Sequence, residues 1–221
     1  MSYVTMERVS RTIPDSGSTV SRRYGGVPGE QRRADRRARL LEAGLQLLGT
    51  VGWEQTTMTA VCAEARLTER YFYESFRNRE QLLLAVLDAV SEEIRLGIVA
   101  ALRTHPDDAE AAVRGAVEAY VDVLTGDPRK ARLTLVEAVA APPLRRRRAE
   151  LLREFAILIV AQNRRLYGAA ALPPPQAEIQ AVLYVGGVAE LFTVWLGGGL
   201  DATREQVVDA AVALFGAAAH T

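Results

Sequence analysis

The segment TMTAVCAEARLTERYFYESFRNRE, from Thr57 to Glu80, gathers side chains that carry hydrogen-bond donors on planar or short groups: Arg70, Tyr71, Tyr73 and Arg79, with hydroxyls at Thr57 and Thr68. A guanidinium donates in a two-pronged fork, and a phenol donates one directed bond. That is the chemistry of recognition. Making and breaking bonds would require a nucleophile with its base, or a metal set. The chain offers one cysteine, Cys62, inside a short helical segment, and two histidines, His105 beside a helix break and His220 near the last residue. These compose no catalytic set, so no enzyme, cofactor or metal is expected. A single cysteine also excludes an internal disulfide and any four-cysteine zinc site, which fits a reducing cytoplasm.

The aromatic run Tyr71, Phe72, Tyr73 poses a geometric question. On a helix, consecutive residues fan out at about 100° steps, so the three rings cannot share one core. The surrounding pattern says which ring is inside. Thr57 is placed as an N-cap for a short helix burying Met58, Val61, Cys62 and Ala65. After a brief turn the chain restarts at Thr68, a second N-cap, with Leu67 before it and Phe72 four residues on, the spacing of a hydrophobic staple. Phe72 and Phe76 then face inward together, and Asn78 with Gln81 caps a long helix whose stripe is Leu83, Val86, Leu87, Val90, Ile94, Ile98 and Ala101. Upstream, Leu41, Leu45 and Leu48 form the stripe of a first helix that starts near Arg32 and ends at Gly52.

Two short helices joined by a three-residue turn define a helix-turn-helix, whose second helix enters the major groove of a DNA duplex while the first crosses the backbone. Glu69, Arg70, Tyr71 and Tyr73 are then outward. Arg70 can pair with guanine O6 and N7, and Tyr71 can meet a thymine methyl. Tyr73, Thr57, Thr68 and Arg79 are suited to phosphate oxygens. The charge distribution agrees: residues 1–79 hold 13 Arg against 9 acidic residues in a chain of zero net charge. Arg32 and Arg33 belong to an arginine run at 32–39 that is expected to lie along the duplex, as basic arms do. Glu69 is the odd member, since a carboxylate near DNA is repelled unless a cytosine amine donates to it.

The run TTMTAVCAEARLTERYFYESFRNREQLL, following a helix that ends in GTVGW, resembles the DNA-binding domain of the TetR family of transcriptional regulators. The matching features are the aromatic after Gly52, the threonine pair before the second helix, the tyrosine three residues ahead of Phe76, and the basic residue and Glu at 79 and 80. Family members usually have glycine in the turn, where this chain has Arg66. Arginine there costs on the order of 1 kcal/mol if the turn needs positive φ.

Downstream breakers, HPDD, TGDPRK, APPL, ALPPP and GGGLDATRE, divide the chain into helices over roughly 107–125, 128–140, 143–168, 174–197 and 203–218. No segment alternates as a strand does. The expectation is all-α with nine helices: a flexible basic extension at 1–30, a helix-turn-helix domain at 31–79, and a helical domain at 80–221.

The resemblance implies that this last domain holds a small-molecule effector and a homodimer interface. The apolar run at 155–160, followed by Gln162 and Asn163, suggests a helix wrapped on nearly all sides. Tyr120, Phe155, Gln162, Tyr184 and Trp195 are the pocket candidates, apolar with a few polar groups. Gly186 and Gly187 would allow a second helix to approach closely, so Leu183, Gly187, Leu191 and Val194, with Val208, Val212 and Phe215, are the candidates for a four-helix bundle across a two-fold axis. IQAVLYVGGVAELFTVWLGGGL, from Ile179, approaches membrane-spanning length but carries Gln180 and Glu190; a buried helix is expected, not a span. LRRRRAELLR, from Leu144, reads as a solvated helix start, because cations near a helix N-terminus are poorly placed to receive an anion.

Together these features imply a cytoplasmic repressor, binding an inverted repeat in double-stranded DNA as a dimer and released by a small apolar effector. The alternative is a helical interaction protein without sequence-specific DNA binding, for which Arg66 and Glu69 speak.

Overall fold

A computed structural model describes residues 29–219; the expected extension up to residue 28, and His220, lie outside the described residues. The described residues are helical throughout, with no strand. We label α1 Gly29–Thr50, α2 Met58–Ala65, α3 Glu69–Ser75, α4 Arg79–Thr104 and α5 Ala109–Gly126. Helix α6 is interrupted: it starts at Pro128–Ala131, passes through a π-helical turn at Arg132–Glu137 and resumes at Ala138–Ala140. Then come α7 Pro142–Tyr167, α8 Gln176–Leu196 and α9 Arg204–Ala219.

Capping explains the boundaries. Thr57 and Asn78 accept from the backbone N–H groups of Ala60 and Gln81, and Asp108 does the same for Ala111. Asp127 caps α6, with Pro128 in the first turn where its missing N–H costs nothing. Thr68 has the extended backbone of an N-cap, but its side chain makes no capping bond. Helix α1 begins at Gly29, so Arg32 to Arg39 lie on a helix and not on an arm.

One core runs from Leu40 in α1 through Phe72, Phe76 and the α4 stripe to Phe215 in α9. Two expectations about burial fail. Helix α7 is not wrapped all round, since Ile157 is 69% exposed. Helix α8 is long and apolar enough to cross a membrane. It buries one face, through Ala177, Ala181, Val188, Ala189 and Phe192, and leaves Ile179, Val182 and Leu183 exposed. Periodicity could not separate these cases, because an all-apolar helix looks the same whether its outer side meets the same chain or something else.

The turn between α2 and α3 has a defined form. Arg66 sits at φ 52°, ψ 47°, the only positive-φ residue other than glycine among the described residues. Its N–H donates to the Ala63 carbonyl and the Leu67 N–H to the Cys62 carbonyl. This is the Schellman pattern, with the hydrophobic contact of Leu67 beside it. The turn therefore keeps the left-handed geometry that glycine adopts without strain, and arginine bears the penalty. Arg66→Gly should raise the stability of the chain by about 1 kcal/mol, offset in part by the greater unfolded-state freedom of glycine. Urea denaturation reads this directly; an unchanged or lower midpoint would remove the claim that Arg66 is strained.

Candidate nucleic-acid interface and internal cavity

Phe72 is fully buried and Phe76 nearly so, their rings tilted at 5.8 Å between centroids. This pins α3 by its inner face. Tyr73 is then 58% exposed, edge-on to Phe72 at 5.7 Å. Glu69 and Arg70 are exposed as well, and Arg70 makes only a loose 3.5 Å pair with Glu74. Tyr71 is half-buried under the guanidinium of Arg36, which stands 4.5 Å from the ring centroid and pairs with Glu74 at 3.2 Å. Arg70, Tyr73, Glu69 and part of Tyr71 thus form one outward patch. Thr57 and Thr68 stand exposed at the starts of α2 and α3.

The arginines of α1 have mostly inward duties that sequence reasoning missed. Arg36 covers Tyr71, Arg37 lies 4.4 Å over Phe76 and donates to the Ser75 carbonyl, and Arg39 donates to the carbonyls of Ala65 at 2.6 Å and Arg66 at 3.3 Å. The first helix therefore clamps α3 and the turn before it. Arg32 and Arg33 are exposed on the first turns of α1.

Arg79 requires a correction. It is half-buried, its Nη2 donates to the Trp53 carbonyl, and its guanidinium lies 5.4 Å from the Trp53 ring. It faces the loop after α1, not the outside where a phosphate would lie. Arg77, two residues earlier, is exposed in its place.

That loop is also held from the other side. The Trp53 N–H donates to Glu137 Oε2 at 2.9 Å, Arg132 Nε donates to Glu137 Oε1 at 3.1 Å, and Arg132 Nη1 donates to the Thr50 carbonyl at 2.8 Å. Glu137 is buried. Gly52, at φ 87°, lets the loop come this close. Nearby, Arg129 bonds Glu42, Gln46 and Asp127, which holds the Asp127 carboxyl below the usual range. A Cβ on Gly49 would stand 2.3 Å from Arg129 Cβ, so α1 and α6 touch at a point only glycine permits.

The π-helical turn that carries Glu137 also presents Thr134 and Leu135 to an internal cavity of about 160 Å³. The cavity lies between α4, α5, α7 and α8, and its wall is almost wholly apolar. Tyr120, Phe155, Gln162 and Tyr184 all line it. Burial pushes the Tyr120 hydroxyl up to about 12 and raises Tyr184 further, so both phenols stay protonated donors. Trp195 does not line it: its Nε1–H donates to the Ala202 carbonyl at 2.8 Å. Arg148, from the run read as a solvated helix start, is in the wall.

The dimer candidates divide. Leu183, Gly187 and Val194 are exposed on α8 and Leu191 is half-buried. Val208, Val212 and Phe215 are buried within the single chain, where Phe215 meets Tyr184 edge-on at 5.2 Å and lines the cavity. These three belong to the protomer's own core. The α9 stripe had two possible destinations, and only the packing of α9 against α5 and α8 selects one. Among the described residues no group of three or more His, Cys, Asp or Glu could hold a metal ion.

The fold and the outward patch of α3 define an all-helical protein with a helix-turn-helix near its start and further helices packed around a cavity. Residues 40–86 match the model of the bacterial regulatory proteins, tetR family. A curated relative, the HTH-type transcriptional activator FasR of Mycolicibacterium smegmatis, is 30% identical over 129 residues. That alignment covers 58% of this chain and 55% of FasR, so the chain spans about half the length of this relative. Among solved structures, a transcriptional regulator from Rhodococcus sp. Rha1 superimposes with a TM-score of 0.66 at 18% identity, over 82% of this chain and 94% of that one. The fatty acid degradation regulator FadR from Bacillus halodurans does so at 0.64 and 18% identity, over 81% and 94%. At such identities the likeness concerns the fold.

Glu137→Ala removes the acceptor for both Trp53 and Arg132. Hydrogen bonds to a charged group contribute about 1.5–3 kcal/mol, so denaturant unfolding should show a loss of roughly 2 kcal/mol or more. A loss below about 0.5 kcal/mol would mean that the carboxylate does not fasten the loop.

Proposed function

We propose that the chain is a ligand-responsive transcriptional regulator that binds an inverted-repeat operator as a homodimer in the cytoplasm, with the effector-free form bound to DNA and acting as a repressor. The observation that carries the reading is the division of α3 into two sides: Phe72 and Phe76 buried, Arg70 and Tyr73 exposed. A helix of this kind seats its outward residues on base edges and phosphates. The exposed Glu69 sits at the start of α3, where it can accept from a cytosine amine or stay at the groove edge.

The apolar outer face of α8 supports dimerisation. Ile179, Val182, Leu183 and Val194, with Leu214 of α9, are exposed, and Gly186 and Gly187 leave room between them. A second copy would cover this face by a two-fold axis and set two copies of α3 about one DNA turn apart. The cavity supports an apolar effector. Its contents press on Thr134 and Leu135 in the same π-helical turn whose Glu137 holds the loop before α2, a contiguous path able to carry the roughly 1–3 kcal/mol typical of coupling between two sites. FasR is named an activator, so the sign of regulation is read by transcription in vitro from the bound promoter with and without effector.

Gel-shift titration against the duplex upstream of its own gene tests DNA binding. Arg70→Ala and Tyr73→Ala should each weaken the shift by about tenfold or more, with unchanged circular dichroism, because both side chains are exposed. Wild-type binding by both variants would move the recognition surface elsewhere. For the dimer, Leu183→Glu places a charge on the α8 face and should yield monomers in sedimentation velocity at concentrations where the wild type is dimeric; a dimer that survives it would put the interface on another face.

A further inference from the structure

The seven residues that α7 contributes to the cavity wall are Arg148, Leu151, Leu152, Phe155, Leu158, Ile159 and Gln162, the i, i+3, i+4 pattern of one helix face over about four turns. At 1.5 Å per residue the face is about 21 Å long, with a polar group at each end. The two ends are not equivalent. Arg148 is the one formally charged group in the wall among the described residues, and it is half-buried. It forms no ion pair or hydrogen bond with any described residue, whereas its neighbour Arg147 is bound to Asp88, Glu150 and Glu154, and Arg146 to Glu150.

The Arg147–Asp88 pair, at 2.6 Å, also sets which end Arg148 occupies: it is the end beside the middle of α4, where Leu87 and Ser91 line the wall, and away from Ile98 and Leu102. Arg148 is close enough to Tyr120 for its charge to oppose the effect of burial on that phenol. One guanidinium and the hydroxyls of Ser91 and Tyr120 therefore belong to one end of a chamber whose wall is mostly apolar. A half-buried cation without a counter-ion is costly, and a carboxylate accepting from guanidinium and hydroxyl donors removes that cost.

We infer that the cavity takes an elongated aliphatic monocarboxylate, its head held by Arg148 with Tyr120 and Ser91 and its chain running along α7 towards Gln162. This rests on the reading of the cavity as an effector site and adds the chemical class. The volume bounds the length. A water occupies roughly 10–15 Å³ of such space, so about 160 Å³ seats on the order of ten small groups, the size of a ten-carbon acid. Gln162 Oε1 is buried without a partner at the far end, and it is the competing seat for a polar head.

The test is isothermal titration calorimetry of the full chain with decanoate and with decan-1-ol. Wild type should bind decanoate about tenfold or more tightly than the alcohol. Arg148→Met, which keeps the stem and removes the charge, should bring the two within about threefold while leaving the alcohol unchanged, and Gln162→Leu should preserve the preference. Equal binding of acid and alcohol by the wild type overturns the inference and leaves the cavity reading standing, with no variant needed. A preference lost in Gln162→Leu and kept in Arg148→Met also overturns it, by moving the head to the other end. If neither compound binds, the effector-cavity reading fails with it.

Discussion

A buried carboxylate joins the two halves of this chain. Glu137 accepts from the Trp53 backbone and from Arg132, and Arg132 in turn reaches the Thr50 carbonyl at the end of α1. A carboxylate withdrawn from water is tolerated only where charge and lone pairs are met together, and here the cation and the amide come from opposite sides of the junction. Separation of the halves would strand both. The close approach depends on glycine twice, at Gly52 for its positive φ and at Gly49 for the contact with Arg129. On the far side of the same loop, Arg79 at the start of α4 holds the Trp53 carbonyl and ring. The segment preceding α2 is therefore held from two sides, by Glu137 and Arg132 of α6 and by Arg79 at the start of α4.

The arginines of α1 illustrate how one residue type serves two ends. Arg37 and Arg39 satisfy backbone carbonyls of Ser75, Ala65 and Arg66 that helix ends leave without partners. Arg36 shields Tyr71 and takes up Glu74. Glu74 is thereby neutralised beside the outward patch of α3. Its second partner, Arg70, is held loosely in an exposed pair, and exposed pairs contribute about 0–1 kcal/mol, so this side chain is easily released. The sequence bias toward positive charge in this half is real, but much of it is spent on holding α3 at its angle.

Local physics decides the features that are legible in the sequence. The caps at Thr57 and Asn78, the staple around Phe72, the breakers at Asp127–Pro128 and Ala141–Pro142, and the strained Arg66 each depend on residues within a turn or two of one another. Tyr120, Gln162 and Tyr184, which line the cavity, stand out in the sequence because polar groups among apolar ones on a helix are uncommon. The rest depends on neighbours far along the chain. Arg79 reads as outward because nothing local reveals that Trp53 lies against it. Val208, Val212 and Phe215 read as a partner's seat because a stripe does not name what covers it. Arg148 reads as solvated from its helix-terminal position, although it shares one face of α7 with Leu151, Leu152 and Phe155 and lines the cavity with them.

The π-helical turn at Arg132–Glu137 gives α6 a property that an unbroken helix lacks. A π turn holds one more residue between bonded groups than an α turn, so the segment contains one residue of slack. Taking it up would advance the backbone by about 1.5 Å and rotate the downstream part of the helix by about 100° against the upstream part. Thr134 and Leu135 on the chamber wall and Glu137 on the junction stand within that single stretch, so the wall of the cavity and the anchor of the loop before α2 share one segment of backbone that carries this slack.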